Sequence, residues 1–334
     1  CPRCGVTVEL MPWAVGKSHL TTTFAWFVAS WAKLLCWKDV SDRFRVSWQT
    51  VFRAVGECVL WGLRHRNLNG IRSIGVDEFA WRKRHKYLTF IYQIDHRCKR
   101  LLWIGRDRTA KTFNAFFDWL GQPLSAQIQF VASDMWKAFF GVVARKASGA
   151  VHVLDRFHVA QLLGKAVDQV RRDEVRSLCR AGRPALLTKT RWILLKRRAN
   201  RSPSERRRLG QLLRLNLRSA RACLLKEDFD RFWSYVSPTW AGRFLDRWCT
   251  MVMRSRPEPL KKVARTLRKH RPLLLNWFRA RYAFSHGATE GLNNKARSTT
   301  KRAYGFRSYL HAEVALFHSM GELPEPEWLT HRFW

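Results

Sequence analysis

The chain has 334 residues, of which 62 are Lys or Arg and 25 are Asp or Glu, so its formal net charge is +37. Because 46% of the residues are hydrophobic and 17 are Trp, the chain can bury a sizeable core and is no disordered tail. Such a charge favours a polyanionic partner, and composition leaves open a DNA enzyme, a ribosome-like RNA binder and a protein of the membrane surface.

The cysteines indicate a reducing compartment. Eight are scattered along the chain and only Cys1 and Cys4 lie close together, which is no framework for a small secreted fold. No signal peptide is visible. The apolar run 20–37 is interrupted by threonines, Ser30 and Lys33, so it predicts a buried helix and no membrane span. We therefore expect a cytoplasmic protein with no membrane partner.

Residues 1–19 predict the remnant of a zinc ribbon. Cys1 and Cys4 have the Cys-x-x-Cys spacing at which two thiolates can bind one tetrahedral zinc ion. No second pair follows, and His19 is too isolated to be an obvious ligand. We therefore expect Zn²⁺ binding only together with a missing upstream Cys pair. Since the chain begins at Cys1 without an initiator Met, we also expect an upstream segment.

Residues 20–68 predict a helix-turn-helix DNA-binding domain. The periodicity is helical over 38–44 and again over 48–60, and Ser47 is a natural N-cap for the second helix. The apolar positions that should face inward are Val40, Phe44, Val46, Val51 and Val55. The side chains offered to a DNA major groove would be Trp48, Gln49, Thr50 and Arg53. Any small three-helix bundle is the alternative.

Residues 69–160 predict short strands in place of the helices before them. Segments rich in β-branched and aromatic residues predict an antiparallel meander over 71–80, 86–95 and 100–108. A helix, a strand, a helix and a strand are then predicted over 109–120, 127–133, 136–146 and 150–154. This order is that of a ribonuclease H-like core, an α/β fold with a mixed five-stranded sheet and flanking helices.

Residues from about 159 to 281 are almost wholly helical by periodicity and rich in Arg and Lys. A last core helix should follow over about 290–303, and another over 310–320. The basic stretch 197–208 has three interpretations, a flexible loop, a DNA-contacting loop and a solvated helix face.

Three acidic residues stand where a metal site would need them. Phosphodiester cleavage by two metal ions requires about three carboxylates from separate elements. Asp77 lies within the first strand, Asp134 at the tip of the fourth, and Glu290 in the first turn of the last core helix. We predict that these three acids meet at one edge of the sheet and hold two Mg²⁺ or Mn²⁺ ions. Glu78 would replace Asp77 if the strand register slipped by one.

Other polar residues near these acids have both functional and plain structural interpretations. Asp155 and His158, three positions apart after the last strand, could orient the substrate or the metal ligands, or could simply close the strand. The residues that follow Glu290 at near-helical spacing could hold DNA phosphates or be merely solvated, and they are Asn293, Asn294, Arg297 and Lys301.

Five stretches occur in a specific combination and order, 74–79, 133–136, 155–159, 287–295 and 302–307. Together they resemble the ISL-three family of bacterial insertion-sequence transposases, a branch of the DDE superfamily. The resemblance covers about residue 21 to the C-terminus, and it implies that Asp77, Asp134 and Glu290 are the catalytic acids. It further implies that residues 161–284 are a helical insertion, with 285–334 returning to the core. Of the family's zinc ribbon only the Cys1/Cys4 half would be represented.

The resemblance also implies a function. The chain would cleave double-stranded DNA at insertion-sequence ends in a metal-dependent reaction and join the freed strand to target DNA. We expect a homo-oligomer assembled on DNA, in the bacterial cytoplasm and associated with the nucleoid. Two alternatives stay open. One is a catalytically inactive, basic helix-turn-helix regulator, and the other is a different ribonuclease H-like metal nuclease.

Overall fold

The computed structural model describes Trp13 and residues 19–82, 86–280 and 287–330. Cys1 and Cys4, and with them the predicted zinc-ribbon remnant, lie outside the described residues. By its internal contacts the chain divides into two compact units. The first unit is Cys1–Ile128 with Gly287–Trp334, and the second is Gln129–His286. The finer domain boundaries expected from sequence stay predictions.

Three helices open the first unit, α1 (Thr22–Leu34), α2 (Trp37–Phe44) and α3 (Trp48–His65). The Ser47 hydroxyl accepts a hydrogen bond from the backbone N–H of Thr50 at 3.0 Å, which confirms Ser47 as the N-cap of α3. Arg45 ends α2 in the left-handed conformation, with φ 52°. Of the predicted inward-facing residues, Val40, Val51 and Val55 are buried, whereas Phe44 and Val46 are half-buried.

The predicted meander is confirmed as β1 (Ser73–Arg82), β2 (Lys86–Asp95) and β3 (Cys98–Arg106), which pair antiparallel in the order β3-β2-β1. In the second unit β4 (Phe130–Ser133) and β5 (Val151–Leu154) pair parallel. The interior of β2 is buried from Leu88 to Ile94. Consecutive buried residues mean that both faces of this strand are covered.

Helices account for most of the remaining described chain. In the first unit they are α4 (Ala110–Leu120) and the short α5 (Gln122–Ser125). In the second unit they are α6 (Lys137–Lys146), α7 (Arg156–Arg180), α8 (Arg191–Leu195), α9 (Pro203–Arg214), α10 (Arg218–Phe229), α11 (Pro238–Arg254), α12 (Glu258–Lys269) and α13 (Arg271–Arg279). The first unit ends with α14 (Ala288–Arg302) and α15 (Tyr309–Met320).

Contacts within the first unit join the three opening helices to the C-terminal ones. Helix α3 packs against α1, α2 and α15, while α14 packs against β1, β2 and β3. Helix α4 packs against β3. The segment predicted as the last core helix therefore does lie on the antiparallel part of the sheet.

Buried charges organise the long helix α7 of the second unit. Asp168 is only 6% exposed and forms ion pairs with Arg171 and Arg172 at 2.8 and 2.7 Å. One turn and a half further on, the buried Glu174 carboxylate accepts hydrogen bonds from the backbone N–H groups of Arg218 and Ser219 at 2.7 and 2.8 Å. Glu174 thereby satisfies free N–H groups in the first turn of α10 from a neighbouring helix.

The mixed five-stranded sheet with flanking helices confirms the predicted α/β class. The ribonuclease H-like and helix-turn-helix assignments stay predictions. None of the helices in the described ranges has the length and apolar character needed to cross a membrane.

Candidate active site

Asp77 of β1 is held by a side chain of α14. The Asn293 amide nitrogen donates a hydrogen bond to Asp77 Oδ2, and Asp77 Oδ1 accepts another from the backbone N–H of Glu78 at 2.7 Å. The Tyr92 hydroxyl donates to Asn293 Oδ1 at 2.8 Å. Burial and the nearby Asp77 charge raise the pKa of Tyr92 well above its usual value, so its proton stays on the phenol. Because Tyr92 occupies the amide oxygen, the amide NH₂ of Asn293 faces Asp77.

A glycine lets α14 approach β1 closely. A Cβ at Gly75 would lie 2.8 Å from Thr289 Oγ1 and 3.2 Å from Ile94 Cγ2, so no other residue fits without a shift. Since side chains alternate along a strand, Gly75 and Asp77 share the face on which α14 lies. Thr289 and Asn293 are one helical turn apart. Thr289 lies against Gly75, and Asn293 contacts Asp77.

Glu290 lies in the first turn of α14, three positions before Asn293, and is half-buried. Residues three apart on a helix are surface neighbours, with Cβ atoms about 5–6 Å apart. Because Asn293 contacts the Asp77 carboxylate, Glu290 lies within one helical turn of that contact along α14. No hydrogen bond or ion pair joins the Glu290 side chain to another described residue.

Glu78, the alternative ligand, points to the opposite face of β1. Its carboxylate forms an ion pair with Arg108 at 2.6 Å. That guanidinium also lies 5.0 Å from the centre of the Tyr87 ring. The register pairs Asp77 with Phe90 and Glu78 with Thr89. The face occupied by α14 is therefore that of Asp77.

Asp134 directly follows β4 in the second unit. Its Oδ1 accepts a hydrogen bond from the backbone N–H of Trp136 at 3.0 Å. The preceding Ser133 hydroxyl contacts His152 Nε2 at 2.7 Å within the parallel pair. Burial lowers the pKa of His152 to about 4, so the imidazole is neutral near pH 7. The neutral His152 ring therefore contacts Ser133, at the end of β4 that precedes Asp134.

Asp155 occupies the equivalent position after β5. Its backbone N–H donates to the Ser133 carbonyl at 3.0 Å, which continues the ladder between the two strands. Its carboxylate accepts from the backbone N–H of Phe157 at 2.9 Å and caps α7. Helix α7 therefore starts at Arg156, earlier than the helical periodicity predicted. The structural interpretation of Asp155 is observed, whereas a role of Asp155 and His158 beside a metal stays a prediction.

The residues expected to hold phosphates on α14 divide into two groups. Asn294, Arg297 and Lys301 are exposed along one stripe of the helix, with Arg297 donating to Asn294 Oδ1 at 3.0 Å. Asn293 is 5% exposed and committed to Asp77 and Tyr92. The phosphate-holding interpretation of Asn293 was thus wrong. Its spacing from Glu290 was the signal that could have indicated a place beside the acids.

The residues predicted to read DNA from α3 also differ in availability. Gln49 and Arg53 are exposed. The Thr50 hydroxyl contacts the Ser47 hydroxyl at 2.8 Å, and the Trp48 ring packs against Phe52 with ring centroids 5.9 Å apart. Base recognition by this helix stays a prediction, and Gln49 and Arg53 are the exposed residues that could take part in it.

The acid oxygens have the chemistry of a Mg²⁺ or Mn²⁺ site. Hard divalent cations take carboxylate oxygens, which Asp77 and Glu290 would both supply from the first unit. Within the described ranges 19–82, 86–280 and 287–330, no group of three or more His, Cys, Asp or Glu side chains is arranged to hold a metal ion. The meeting of all three predicted acids stays a prediction.

Comparisons with known proteins identify relatives over most of the chain. The transposase of insertion sequence element IS1001 from Bordetella parapertussis is 29% identical over 311 residues, which are 92% of this chain and 75% of the relative. The transposase of element IS1557 from Mycobacterium tuberculosis strain H37Rv is 29% identical over 339 aligned positions, covering 92% of this chain and 73% of the relative.

The family comparison agrees with the sequence resemblance. Residues 74–314, which include β1 to β5, α14 and the predicted acids, match the sequence model of a family described as transposase, the ISL-three branch of the DDE group. This match spans more than half of the chain. The chain therefore belongs to the ISL-three family of DDE transposases.

Proposed function

We propose that this protein is an active DNA transposase, in which Asp77, Asp134 and Glu290 hold two Mg²⁺ or Mn²⁺ ions. The observation that carries the proposal is the hydrogen bond from Asn293 to Asp77, because it ties the helix turn of Glu290 to the strand position of Asp77. Asp134 directly follows β4, and ligands of α/β folds commonly bind beyond the carboxyl ends of parallel strands.

The reaction is hydrolysis of a phosphodiester at the element ends, followed by attack of the freed 3′-hydroxyl on target DNA. Two divalent cations would activate the attacking water and stabilise the departing 3′ oxygen. The task of Asn293 is to fix the orientation of the Asp77 carboxylate. No step requires a Ser, Tyr or Cys nucleophile, so no covalent link between protein and DNA forms.

Double-stranded DNA is the partner that fits the charge. With a net charge of +37 the chain can form many contacts to DNA phosphates. Each contact releases counterions from the DNA, so the affinity for DNA should fall steeply as the salt concentration rises. Gln49 and Arg53 on α3 would read the element end, and Asn294, Arg297 and Lys301 on α14 would hold phosphates near Glu290. We further propose a homo-oligomer on DNA, associated with the bacterial nucleoid.

The experiment compares Asp77→Asn, Asp134→Asn and Glu290→Gln with wild type on a duplex that carries the terminal inverted repeats of the encoding element. Wild type in Mg²⁺ should give both cut ends and joined products. Each variant should lose at least about a hundredfold in cleavage rate, because losing a metal ligand removes several kcal/mol of transition-state stabilisation. DNA affinity should change little, since it depends on Lys and Arg.

Two matched controls sharpen the result. Glu78→Gln removes an acid beside Asp77 on the other face of β1, and Asp246→Asn removes one that pairs with Arg271 at 2.9 Å on the surface. Both should cleave DNA at near the wild-type rate. If the variant of a predicted acid cleaves DNA at the wild-type rate, that residue is not part of the site. Cut ends without joined products from wild type would indicate a plain nuclease, and binding without cutting would indicate a regulator.

A further inference from the structure

The turn after α14 carries a tyrosine in an unusual conformation. Tyr304 has φ 51° and Gly305 has φ 95°. The Tyr304 N–H donates to the Lys301 carbonyl and the Gly305 N–H to the Thr300 carbonyl, both at 3.0 Å. This is the Schellman pattern of helix ends, in which the first left-handed position is usually glycine because a Cβ is strained there. Here that position is occupied by a large aromatic residue.

The packing of the Tyr304 side chain does not offset this strain. The Tyr304 side chain is 95% exposed, so it contributes almost no packing. The backbone around it is nevertheless fixed, because Arg82 donates hydrogen bonds to the carbonyl oxygens of Phe306, at 2.7 Å, and Arg307. Strained residues that the surrounding structure holds in place are frequent at functional sites.

Tyr304 lines a cavity of about 380 Å³ within the first unit. This volume is in the range of sites for small organic molecules, about 300–1,000 Å³. Rings of Trp37 and Trp48 contribute to its wall. Its charged lining residues are Lys38, Arg302 and Arg307, and the described lining includes no acidic side chain. Aromatic faces beside cations match the two parts of a nucleotide, the base and the phosphate.

The three cations are not equally available to a phosphate. Lys38 pairs with Asp42 at 2.6 Å, and Arg302 donates to the carbonyls at the end of α1. The Arg307 guanidinium lies 5.9 Å from the centre of the Trp48 ring, and no hydrogen bond joins it to another described side chain or backbone group. Arg307 is therefore the side chain placed to bind a phosphate.

We propose that this cavity receives one unpaired base of the bound DNA, with its face stacked on Tyr304 and its phosphate bound by Arg307. Inside a duplex both faces of a base are covered by its neighbours, so stacking on a side chain requires a base outside the helix. The proposal rests on DNA binding by the proposed transposase but not on its cleavage chemistry. It adds a nucleotide site formed by the α14–α15 turn, α2 and the start of α3.

The test uses two duplexes of the same mixed sequence, one fully paired and one with a single unpaired 2-aminopurine, and measures binding in EDTA. Wild type should bind the duplex with the unpaired base between about fivefold and about a hundredfold more tightly, the range for one stacked base. It should also quench the 2-aminopurine fluorescence. Tyr304→Phe should keep both effects, because it keeps the ring.

Tyr304→Gly should lose both effects and yet unfold at a higher temperature, because glycine relieves the left-handed strain and almost no packing is lost. A merely structural role would move stability in the other direction. Trp240→Ala is the control, since Trp240 is also an exposed ring, at 58%, but belongs to the second unit. It should keep the preference for the unpaired base.

The outcomes separate the two proposals. If wild type binds both duplexes equally, or if Tyr304→Gly keeps the preference and the quenching, the nucleotide site is wrong while the transposase proposal stands. If wild type binds neither duplex, both proposals fail. Self-association that depends on Tyr304, without preference for the unpaired base, would assign the ring to a contact between copies and overturn the site.

Discussion

The buried acids of the helical second unit and the acids of β1 and α14 are held in different ways. Asp168 forms ion pairs with three arginines, and Glu174 accepts hydrogen bonds from two backbone N–H groups and the Ser219 hydroxyl. Asp77 instead accepts from the Asn293 amide, and Glu290 has no hydrogen bond or ion pair to a described residue. Carboxylates of the first kind maintain the fold, whereas the proposed function assigns a metal ion to those of the second kind.

The largest effect on stability should come from Glu174→Gln. The amide adds a donor opposite buried donors and removes the charge that satisfies the first turn of α10, so unfolding free energy should fall by about 3 kcal/mol or more. Urea denaturation followed by circular dichroism measures this loss. Glu258→Gln in the same unit is the control, because Glu258 is surface-exposed and should change stability by less than about 0.5 kcal/mol. Equal losses of unfolding free energy in both variants would contradict a special structural role of Glu174.

An intermediate effect is expected from Asn293→Ala. Removing the group that orients Asp77 should raise the Mg²⁺ concentration for half-maximal cleavage by about 10- to 100-fold, the range for residues that position metal ligands. The exposed Asn294→Ala variant should leave this concentration unchanged. If Asn293→Ala lowers thermal stability but shifts no Mg²⁺ dependence, Asn293 serves packing alone.

The smallest effect on stability should come from Glu290→Gln measured without metal. Glu290 is an acid in the first turn of α14, where its interaction with the helix dipole is worth about 0.3–1 kcal/mol. Adding Mg²⁺ should then raise the melting temperature of wild type more than that of the variant, since binding to the folded state stabilises it. A loss as large as that of Glu174→Gln would place Glu290 among the structural acids.

Local sequence signals predicted much of this fold. Ser47 before α3, the alternating segments of β1 to β3 and the helical periods of α14 and α15 each gave an element that the structure confirms. These signals depend on residues within a few positions of one another, which is why one sequence suffices. The start of α7 differs from the prediction, because Asp155 caps the helix at Arg156 and the helical periodicity becomes visible only from about residue 159.

Sequence by itself determined the family, which the family match confirms, and it predicted Asp77, Asp134 and Glu290 as the catalytic acids. Only the tertiary structure decided what each side chain faces. Sequence left Asn293 as a possible phosphate contact or a solvated residue, whereas in the structure it holds Asp77, 216 positions away. Which partner a polar side chain meets depends on the register of a helix against a strand and on a glycine that permits close approach. Such contacts join residues distant in sequence, so no local pattern records them.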